Sequence, residues 1–469
     1  MQVDLAIIGG GGAAFGAAAK ANELGVKTVL INKGLPLGGT CVNVGCVPSK
    51  FLLEIGFDRW RASHPRFRAT SACEPGLEFL AAMNEKETIV SRNRDSKYKD
   101  VLAGFQAVEL IEERAYFEGP GKIRAGRELI EAKNTLIATG ASNKSINLSG
   151  MDAISPEDLL DNQSAFELKE LPKSLLVLGG GPTGLEVAQI FAHFGTRVTL
   201  LEGRGRVFSV TEPEVSHVVE QVLRDEGIEV HTGTKATRIR KHGREIVLTA
   251  EMNGTEQKFS AEKLLIAVGV RGNTTDLNLT AIGLDADKNG FIEVDDFMRT
   301  QVPGVFAAGD VAGPPWLETL AAREGAIAVE SAFNAGKMRI NYDAVPAAVF
   351  MEPQVASVGL TEEESMKRFG RCNCRSVELR FVPKADIANQ PHGIAKMAIH
   401  PDSEKIVGFH LVSPNAAEII HEAALAIQHG LTVDDLINLV HVFPTYSEVV
   451  KLCAQAFRRD VTHMSCCVE

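Results

Sequence analysis

One local pattern occurs twice in this chain: an apolar run, a glycine turn, a helical stretch and a second apolar run. Residues 3–8 lead into Gly9-Gly10-Gly11-Gly12-Ala13-Ala14; an Ala-rich stretch over 13–24 follows, broken at Gly25, and then the apolar run 26–31. Far downstream, residues 174–178 lead into Gly179-Gly180-Gly181-Pro182-Thr183-Gly184, a helical stretch over 185–194 and the run 197–201. Strand, glycine turn, helix, strand is the βαβ unit of a parallel sheet with helices on its faces. Two such units predict two nucleotide sites, or one nucleotide domain that duplicated. The expected fold class is α/β, with two Rossmann-like domains. A different pattern begins near residue 343: strands over 345–350 and 354–359 and helices over 416–429 and 433–438 predict a separate α+β domain. Between the units, 51–106 reads as helical with mixed charge, 107–123 as short strands, and 143–172 as a polar, Pro-containing boundary. A length of 469 residues accommodates about three domains.

Composition closes off several classes. Lys and Arg number 49 against 60 Asp and Glu, a formal charge of −11, so no polybasic face points to nucleic acid. No apolar run reaches the roughly 18 residues of a membrane span. The start, MQVDLAIIGG, carries Asp4 and no basic region, so it reads as a strand and not as a secretory signal. A cytoplasmic chain is expected. Its eight cysteines then point to redox or metal chemistry rather than a disulfide scaffold.

Each glycine turn carries a physical requirement. In the first, Gly9 makes the turn, Gly11 lets backbone approach a pyrophosphate, and the small Ala14 lets helix and strand pack closely. The helix N-terminus then stabilises the phosphate charge. Asn32 stands at the end of the next strand, where an acidic residue would hold a ribose hydroxyl. The second turn uses Gly179, Gly181 and Gly184 in the same roles. After it, Glu202 suits the free 2′-hydroxyl of NAD, whereas Arg204 and Arg206 suit the 2′-phosphate of NADP. The balance is read as NADPH, with NADH possible.

The most informative stretch is Gly38-Gly39-Thr40-Cys41-Val42-Asn43-Val44-Gly45-Cys46-Val47-Pro48-Ser49-Lys50. Residues five apart in a regular helix rise about 7.5 Å and diverge. Cys41 and Cys46 could therefore bridge only across a distorted turn, for which Gly45 and Pro48 are suited. A helix N-terminus favours a thiolate there. Lys50 falls one turn after Cys46, on its face.

These stretches, with Glu186 after the second turn and Ala307-Ala308-Gly309-Asp310, resemble the flavoprotein disulfide reductases of the class I pyridine nucleotide-disulfide oxidoreductase family. The resemblance runs from residue 3 to the end. It implies an FAD-binding domain (1–147), an NAD(P)-binding domain (148–272), the FAD domain resumed (273–342) and a dimerisation domain (343–469). It implies that Gly34, Gly39, Thr40, Thr139 and Gly140 join the flavin site and that Gly269 lies at a crossing between domains. By the same resemblance Asp310 holds the ribityl chain, Ala115 makes a backbone contact to the adenine, and Lys50 and Glu186 form a pair beside flavin N5. Hydride would pass from NAD(P)H to FAD and on to the Cys41–Cys46 disulfide, Cys41 exchanging outwards and Cys46 facing the flavin as a thiolate.

Members that act on disulfides carry a His-Pro-Thr motif with a downstream Glu, the histidine protonating the leaving thiolate. Here the stretch is His441-Val442-Phe443-Pro444-Thr445-Tyr446-Ser447-Glu448. A phenyl ring moves no proton. His441 stands two residues off as the one available substitute. The chain ends Met464-Ser465-Cys466-Cys467-Val468-Glu469, and neighbouring thiols bind one soft ion more readily than they form a relaxed disulfide. With Ala454-Gln455-Ala456-Phe457 and Asp460-Val461 before it, this tail resembles the branch of the family that reduces Hg(II). That implies a homodimer in which Cys466 and Cys467 of one subunit take Hg(II) from thiol complexes and deliver it to Cys41 and Cys46 of the other. A metal ion needs no leaving-group proton, which makes Phe443 intelligible. Tyr446 lies near a tyrosine that assists transfer in that branch; a second, expected near residues 316–320, is absent. The alternatives are an NAD(P)H-dependent disulfide reductase of the dihydrolipoamide dehydrogenase or glutathione reductase type using His441, and a thiol-based metal chaperone or sensor. The sequence lacks the N-terminal Cys-x-x-Cys module of many members. Cys372-Asn373-Cys374 reads as a surface strand or turn, Cys73 and Cys453 as structural, and no stable metal site is expected.

Overall fold

The computed structural model describes residues 1–334, 336 and 338–461. Cys466 and Cys467 lie outside the described residues. The chain divides into two compact units, Met1–Phe51 with Met83–Ser145 and Gly269–Ile340, and Leu52–Ala82 with Ile146–Val268 and Asn341–Glu469.

The first unit is built on the first βαβ pattern. Strand Gln2–Ile8 pairs in parallel with Thr28–Ile31 on one side and Glu128–Ile137 on the other. Val108–Ile111 extends the sheet beyond Thr28–Ile31, an antiparallel pair of Lys122–Ala125 and Ala115–Gly119 closes the far edge, and Val305–Ala307 also pairs with Glu128–Ile137. Strand Thr28–Ile31 is buried throughout, as a parallel strand covered on both faces must be. The helix Gly12–Glu23 turns Ala13, Ala14, Ala17, Ala18 and Ala21 inward. It crosses the helix Glu318–Phe333 at very short range: a Cβ on Gly16 would strike the Ala322 carbonyl, and one on Gly325 the Ala13 carbonyl. This crossing fixes the start of the Glu318 helix beside the first glycine turn.

The second unit repeats the grammar and adds to it. Ser174–Leu178 pairs in parallel with Arg197–Leu201 and Lys263–Ile266, with Glu229–His231 and Leu159–Leu160 at the edges. A three-stranded antiparallel sheet spans Thr234–His242, Glu245–Met252 and Thr255–Ala261. A five-stranded antiparallel sheet runs in the order Ala347–Val349, Gln354–Gly359, Ile406–Ser413, Ile394–Ile399, Asn373–Glu378. Helices Ala416–His429 and Glu448–Gln455 share its core, with Phe409, Ile420 and Val449 fully or nearly fully buried. The strand expected over 345–350 is the shorter Ala347–Val349, because Pro346 has no N–H to give a ladder. The stretch expected to be uniformly helical, 51–106, breaks into Cys46–Ser63 and Phe79–Arg94 with irregular chain between, then a π-turn at Asp95–Lys99. Among the described residues no helix is long and apolar enough to cross a membrane.

Candidate active site

The first glycine turn opens onto a cavity of ≈ 550 Å³ in the first unit. Of the residues assigned to the flavin, Gly9, Gly11, Asn32, Gly34, Gly39, Thr40, Ala115, Thr139, Gly140 and Asp310 line it. Ala14 does not; it is fully buried behind the turn. The walls are shaped for close approach of a backbone-bound ligand. Gly9 has φ +132 and a Cβ there would collide with the Ala138 carbonyl. A Cβ on Gly39 would come within 2.7 Å of the Gly11 Cα, so the two glycines lie back to back. The helix Gly12–Glu23 begins there with Gly11 as its cap, which makes no side-chain hydrogen bond, and with the Glu318 carboxylate against Gly12. The Asn32 amide donates to the Leu35 carbonyl at 3.1 Å. A glycine cradle at a helix N-terminus, extended into a long cavity, fits a dinucleotide pyrophosphate.

Two acids at the cavity are held away from their ordinary ionisation. Burial raises the Asp310 carboxyl to about 6. Burial, joined by repulsion from Asp310, raises Glu318 to about 7, against the pull of the Tyr98 hydroxyl. That hydroxyl donates to Glu318 Oε1 at 3.3 Å. Tyr98 sits on the π-turn and its ring meets Phe15 edge-on, 4.7 Å between centroids. Glu324, one and a half turns along the same helix as Glu318, accepts from the Gly309 N–H at 2.7 Å and so holds the Asp310 loop. Tyr98, Glu318 and Glu324 were not expected from sequence. A π-turn has no signature in residue spacing, and a carboxylate on a helix start reads first as a surface residue.

The cysteine pair straddles a broken helix. Gly39–Val44 ends at Gly45, whose backbone (φ −123, ψ −107) is non-helical, and Cys46 begins the next helix, Cys46–Ser63. The break brings the two sulfurs into hydrogen-bonding contact. Cys41 is partly buried and Cys46 exposed. The expectation that the helix start favours a thiolate needs correction for Cys41. Its thiol is pushed far above the ordinary range, first by the hydrogen bond it gives to Cys46, then by burial and by the charges of Cys46 and Glu318; Lys50 opposes. The pair therefore holds a proton more tightly than a lone thiol does.

The second glycine turn stands in the second unit. Gly179 has φ +113, where a Cβ would collide with the Ala267 carbonyl, and one on Gly184 would strike the Gly179 carbonyl. Gly181 caps the helix Pro182–Phe194. Glu202 accepts from the Gly180 N–H at 2.6 Å and the Arg204 N–H at 2.7 Å. The Arg204 guanidinium donates to the Ser209 hydroxyl at 2.8 Å and is exposed; that of Arg206 donates to the Ser209 and Thr211 carbonyls, each at 3.3 Å. Glu186, buried on this helix, accepts from the Phe350 N–H at 2.9 Å. Gly269 falls at the start of a segment of the first unit, with φ +107.

In the C-terminal part of the second unit, His441 does not meet Glu448. Its Nε2 lies 2.9 Å from Glu422 and its Nδ1 3.2 Å from the Leu439 carbonyl. Glu448 instead accepts from the Thr445 N–H at 3.0 Å. The Glu422 carboxylate raises the His441 pKa, against partial burial. Phe443 is exposed. Tyr446 is buried in the core and its hydroxyl donates to Gln390 at 2.9 Å.

The sequence profile described as pyridine nucleotide-disulphide oxidoreductase matches residues 3–336, and that of its dimerisation domain matches residues 345–454. The chain belongs to the pyridine nucleotide-disulphide oxidoreductase family. It is 38% identical to a mercuric reductase of Streptomyces lividans over 470 residues, 99% of this chain and 98% of that protein. It is 36% identical to a mercuric reductase of Staphylococcus aureus, over 99% of this chain and 84% of that protein. It is also 32% identical to a dihydrolipoyl dehydrogenase of Geobacillus stearothermophilus, over 97% and 96%. Among solved structures, the HOCl-induced flavoprotein disulfide reductase RclA of Escherichia coli superposes with a TM-score of 0.84 at 25% identity, over 96% of this chain and 99% of that one. Membership makes the protein an oxidoreductase that uses FAD and a nicotinamide dinucleotide. The glycine cradle, Asp310 and the helix start of the first unit fit the first, and the second glycine turn fits the other.

Proposed function

We propose that this oxidoreductase reduces Hg(II) to Hg(0) with NADPH. The observation that carries the reading is at Glu448. Among the described residues no imidazole reaches it: Phe443 stands before Pro444, and His441 is bound to Glu422. A disulfide substrate needs a proton for its leaving thiolate, and a metal ion does not. The mercuric reductases among the relatives support the reading, whereas the dihydrolipoyl dehydrogenases support only the shared redox core.

The bound cofactors supply the electron pair that takes Hg(II) to Hg(0). The protein's share is capture, placement and proton handling. Cys466 and Cys467 are proposed to take Hg(II) from thiol complexes by ligand exchange and pass it to Cys41 and Cys46 of the partner in a homodimer. Cys41 is proposed to exchange outwards with the incoming ion, and Cys46 to face the flavin. Cys41 binds as its retained proton leaves, and Lys50 stabilises the thiolate so formed. Glu318 and Tyr98 set the charge beside that step. Lys50 and Glu186 are proposed as the pair beside the flavin, and Tyr446 as an aid to transfer. We also propose that 1–147 and 273–342 hold FAD, 148–272 holds the nicotinamide nucleotide, 343–469 forms the dimer, and the enzyme works in the cytoplasm.

The test is oxidation of NADPH by the purified yellow protein, with Hg(II) in excess thiol and separately with lipoamide or glutathione disulfide. Mercury-dependent oxidation with silent disulfides is expected. Turnover of the disulfides without mercury would sink the reading and assign the acid role to His441. Arg204 carries the nucleotide preference, since Arg206 is occupied by two carbonyls. Arg204→Gln should raise KM for NADPH about tenfold, the loss of one charge-assisted hydrogen bond, and leave NADH unchanged. An equal change for both nucleotides would show that Arg204 does not read the phosphate.

A further inference from the structure

A second pair of cysteines, Cys372 and Cys374, lies at the edge strand Asn373–Glu378 of the five-stranded sheet in the second unit. The surface strand read from sequence is present, but its surroundings are not those of an incidental pair. The two sulfurs are 2.8 Å apart. Glu362, in the first turn of the helix Glu362–Phe369, brings a carboxylate oxygen to them, and the three donor atoms lie within 4.8 Å of one another. They open onto a hollow of ≈ 300 Å³ also lined by Lys396, Glu214 and Arg375.

We propose that Cys372, Cys374 and Glu362 form a binding site for one soft divalent cation, of the thiophilic class that includes Cd(II) and Hg(II). Two thiolates and a carboxylate select a soft or borderline ion over a hard one, which prefers oxygen alone. The geometry needs little adjustment. Tetrahedral zinc–sulfur bonds of about 2.3 Å put the sulfurs about 3.8 Å apart and larger soft ions put them farther, so the pair must open by about 1 Å or somewhat more, within reach of side-chain rotation. A disulfide between them would need the sulfurs to close by about 0.8 Å across an extended pair whose Cα spacing, about 6.6 Å, is near the outer limit, so the site belongs to the reduced protein.

Charge also favours a cation. Lys396 is shared among Glu212, Glu214 and Glu362, so one ammonium faces three carboxylates and the surroundings of the thiols stay net negative. Both thiols are protonated in the empty site, Cys374 pushed up by burial and by its bond to Cys372, and Cys372 mainly by burial. Binding forms two metal–sulfur bonds, breaks two S–H bonds and releases two protons to solvent, with no change of oxidation state. The inference does not depend on the reaction proposed above.

The test uses the full-length, flavin-loaded, reduced protein carrying Cys41→Ser, Cys46→Ser, Cys466→Ser and Cys467→Ser, titrated with Cd(II). The readout is the ultraviolet thiolate-to-metal charge-transfer band. One Cd(II) per chain is expected, and further substitution of Cys372→Ser and Cys374→Ser should abolish the band. The remaining Cys73 and Cys453 are lone thiols, one exposed and one buried. No band in the first variant, or a band that survives in the second, overturns the site. Glu362→Gln in the first background guards against a folding artefact. It should weaken Cd(II) about tenfold with the band retained; unchanged affinity overturns the three-donor site.

Discussion

The molecule holds two close thiol pairs in similar electrostatic company. Beside Cys41 and Cys46, Glu318 raises the thiol pKa and Lys50 lowers it; beside Cys372 and Cys374, Glu362 raises it and Lys396 lowers it. What differs is the backbone beneath them and the neighbouring space. Cys41 and Cys46 are five apart across a helix broken at Gly45, next to Thr40 and Glu318, which line the dinucleotide cavity. Cys372 and Cys374 are two apart at an edge strand, over a small hollow lined by charged side chains. On the two functions proposed, proximity of thiols and local charge do not suffice for a redox centre, and the cavity beside the pair separates an ion that is given electrons from one that is only held.

The sharpest way to break the comparison is to remove each pair in turn. Cys41→Ser or Cys46→Ser should lower mercury-dependent NADPH oxidation about a thousandfold or more, since residues that act as a unit fail together. Cys372→Ser with Cys374→Ser should leave kcat within a factor of about two, outside the reacting unit. A large loss from the second substitution would show that the two pairs work in series during turnover.

The next effect concerns Lys396, the cation beside the second pair. Lys396 is 4% exposed and meets Glu212 at 3.0 Å, Glu214 at 2.9 Å and Glu362 at 2.6 Å. Burial alone would lower its pKa, but the three carboxylates together hold it above the ordinary lysine range. Lys396→Met leaves the buried Glu212 without its cation and should cost roughly 3–5 kcal/mol of stability by denaturant unfolding. Glu362→Gln should cost far less, because that side chain is 47% exposed. Equal losses would mean that Lys396 serves the thiols' charge balance rather than the fold.

Much of this was legible from residue order. The βαβ periodicity located Ser174–Leu178 and Arg197–Leu201 to the residue, because buried parallel strands are continuous apolar runs bounded by glycine. The helix Ala416–His429 and strand Gln354–Gly359 were equally plain, the first closed by Gly430 and the second ending in Gly359. The glycine turns and Cys41-x₄-Cys46 were legible because their chemistry tolerates few other residues. Tyr98 and Glu318 were not. They are 220 residues apart, and what joins them is a π-turn together with a helix crossing made of Gly16 and Gly325. Glu362 was hidden from Cys372 and Cys374 for the same reason, since a helix start and a strand edge met only on folding. His441 shows the reverse: it was the one substitute available for the missing motif histidine, but the fold gives it Glu422 and not Glu448.

The smallest effect isolates the charge beside Cys41. Glu318, raised to about 7, passes from neutral to anionic across the physiological range, and as an anion it raises the Cys41 pKa. Below pH 7 the carboxyl is largely protonated and this contribution vanishes; above pH 7 it is fully present, where Cys41 must lose its proton. Glu318→Gln removes it at every pH. The alkylation profile of Cys41 in the reduced protein, read peptide by peptide by mass spectrometry, should therefore move to lower pH by about half a unit to one unit. Tyr98→Phe should move it the same way by less, because loss of the hydroxyl raises the Glu318 pKa and leaves less of the anion at a given pH, without removing the carboxyl. The equivalent substitution at the other pair, Glu362→Gln, should shift Cys374 in the same sense as Glu318→Gln shifts Cys41. If Glu318→Gln leaves the Cys41 profile in place, hydrogen bonding to Cys46 and burial alone hold the proton, and the resemblance between the two pairs ends at the sulfurs.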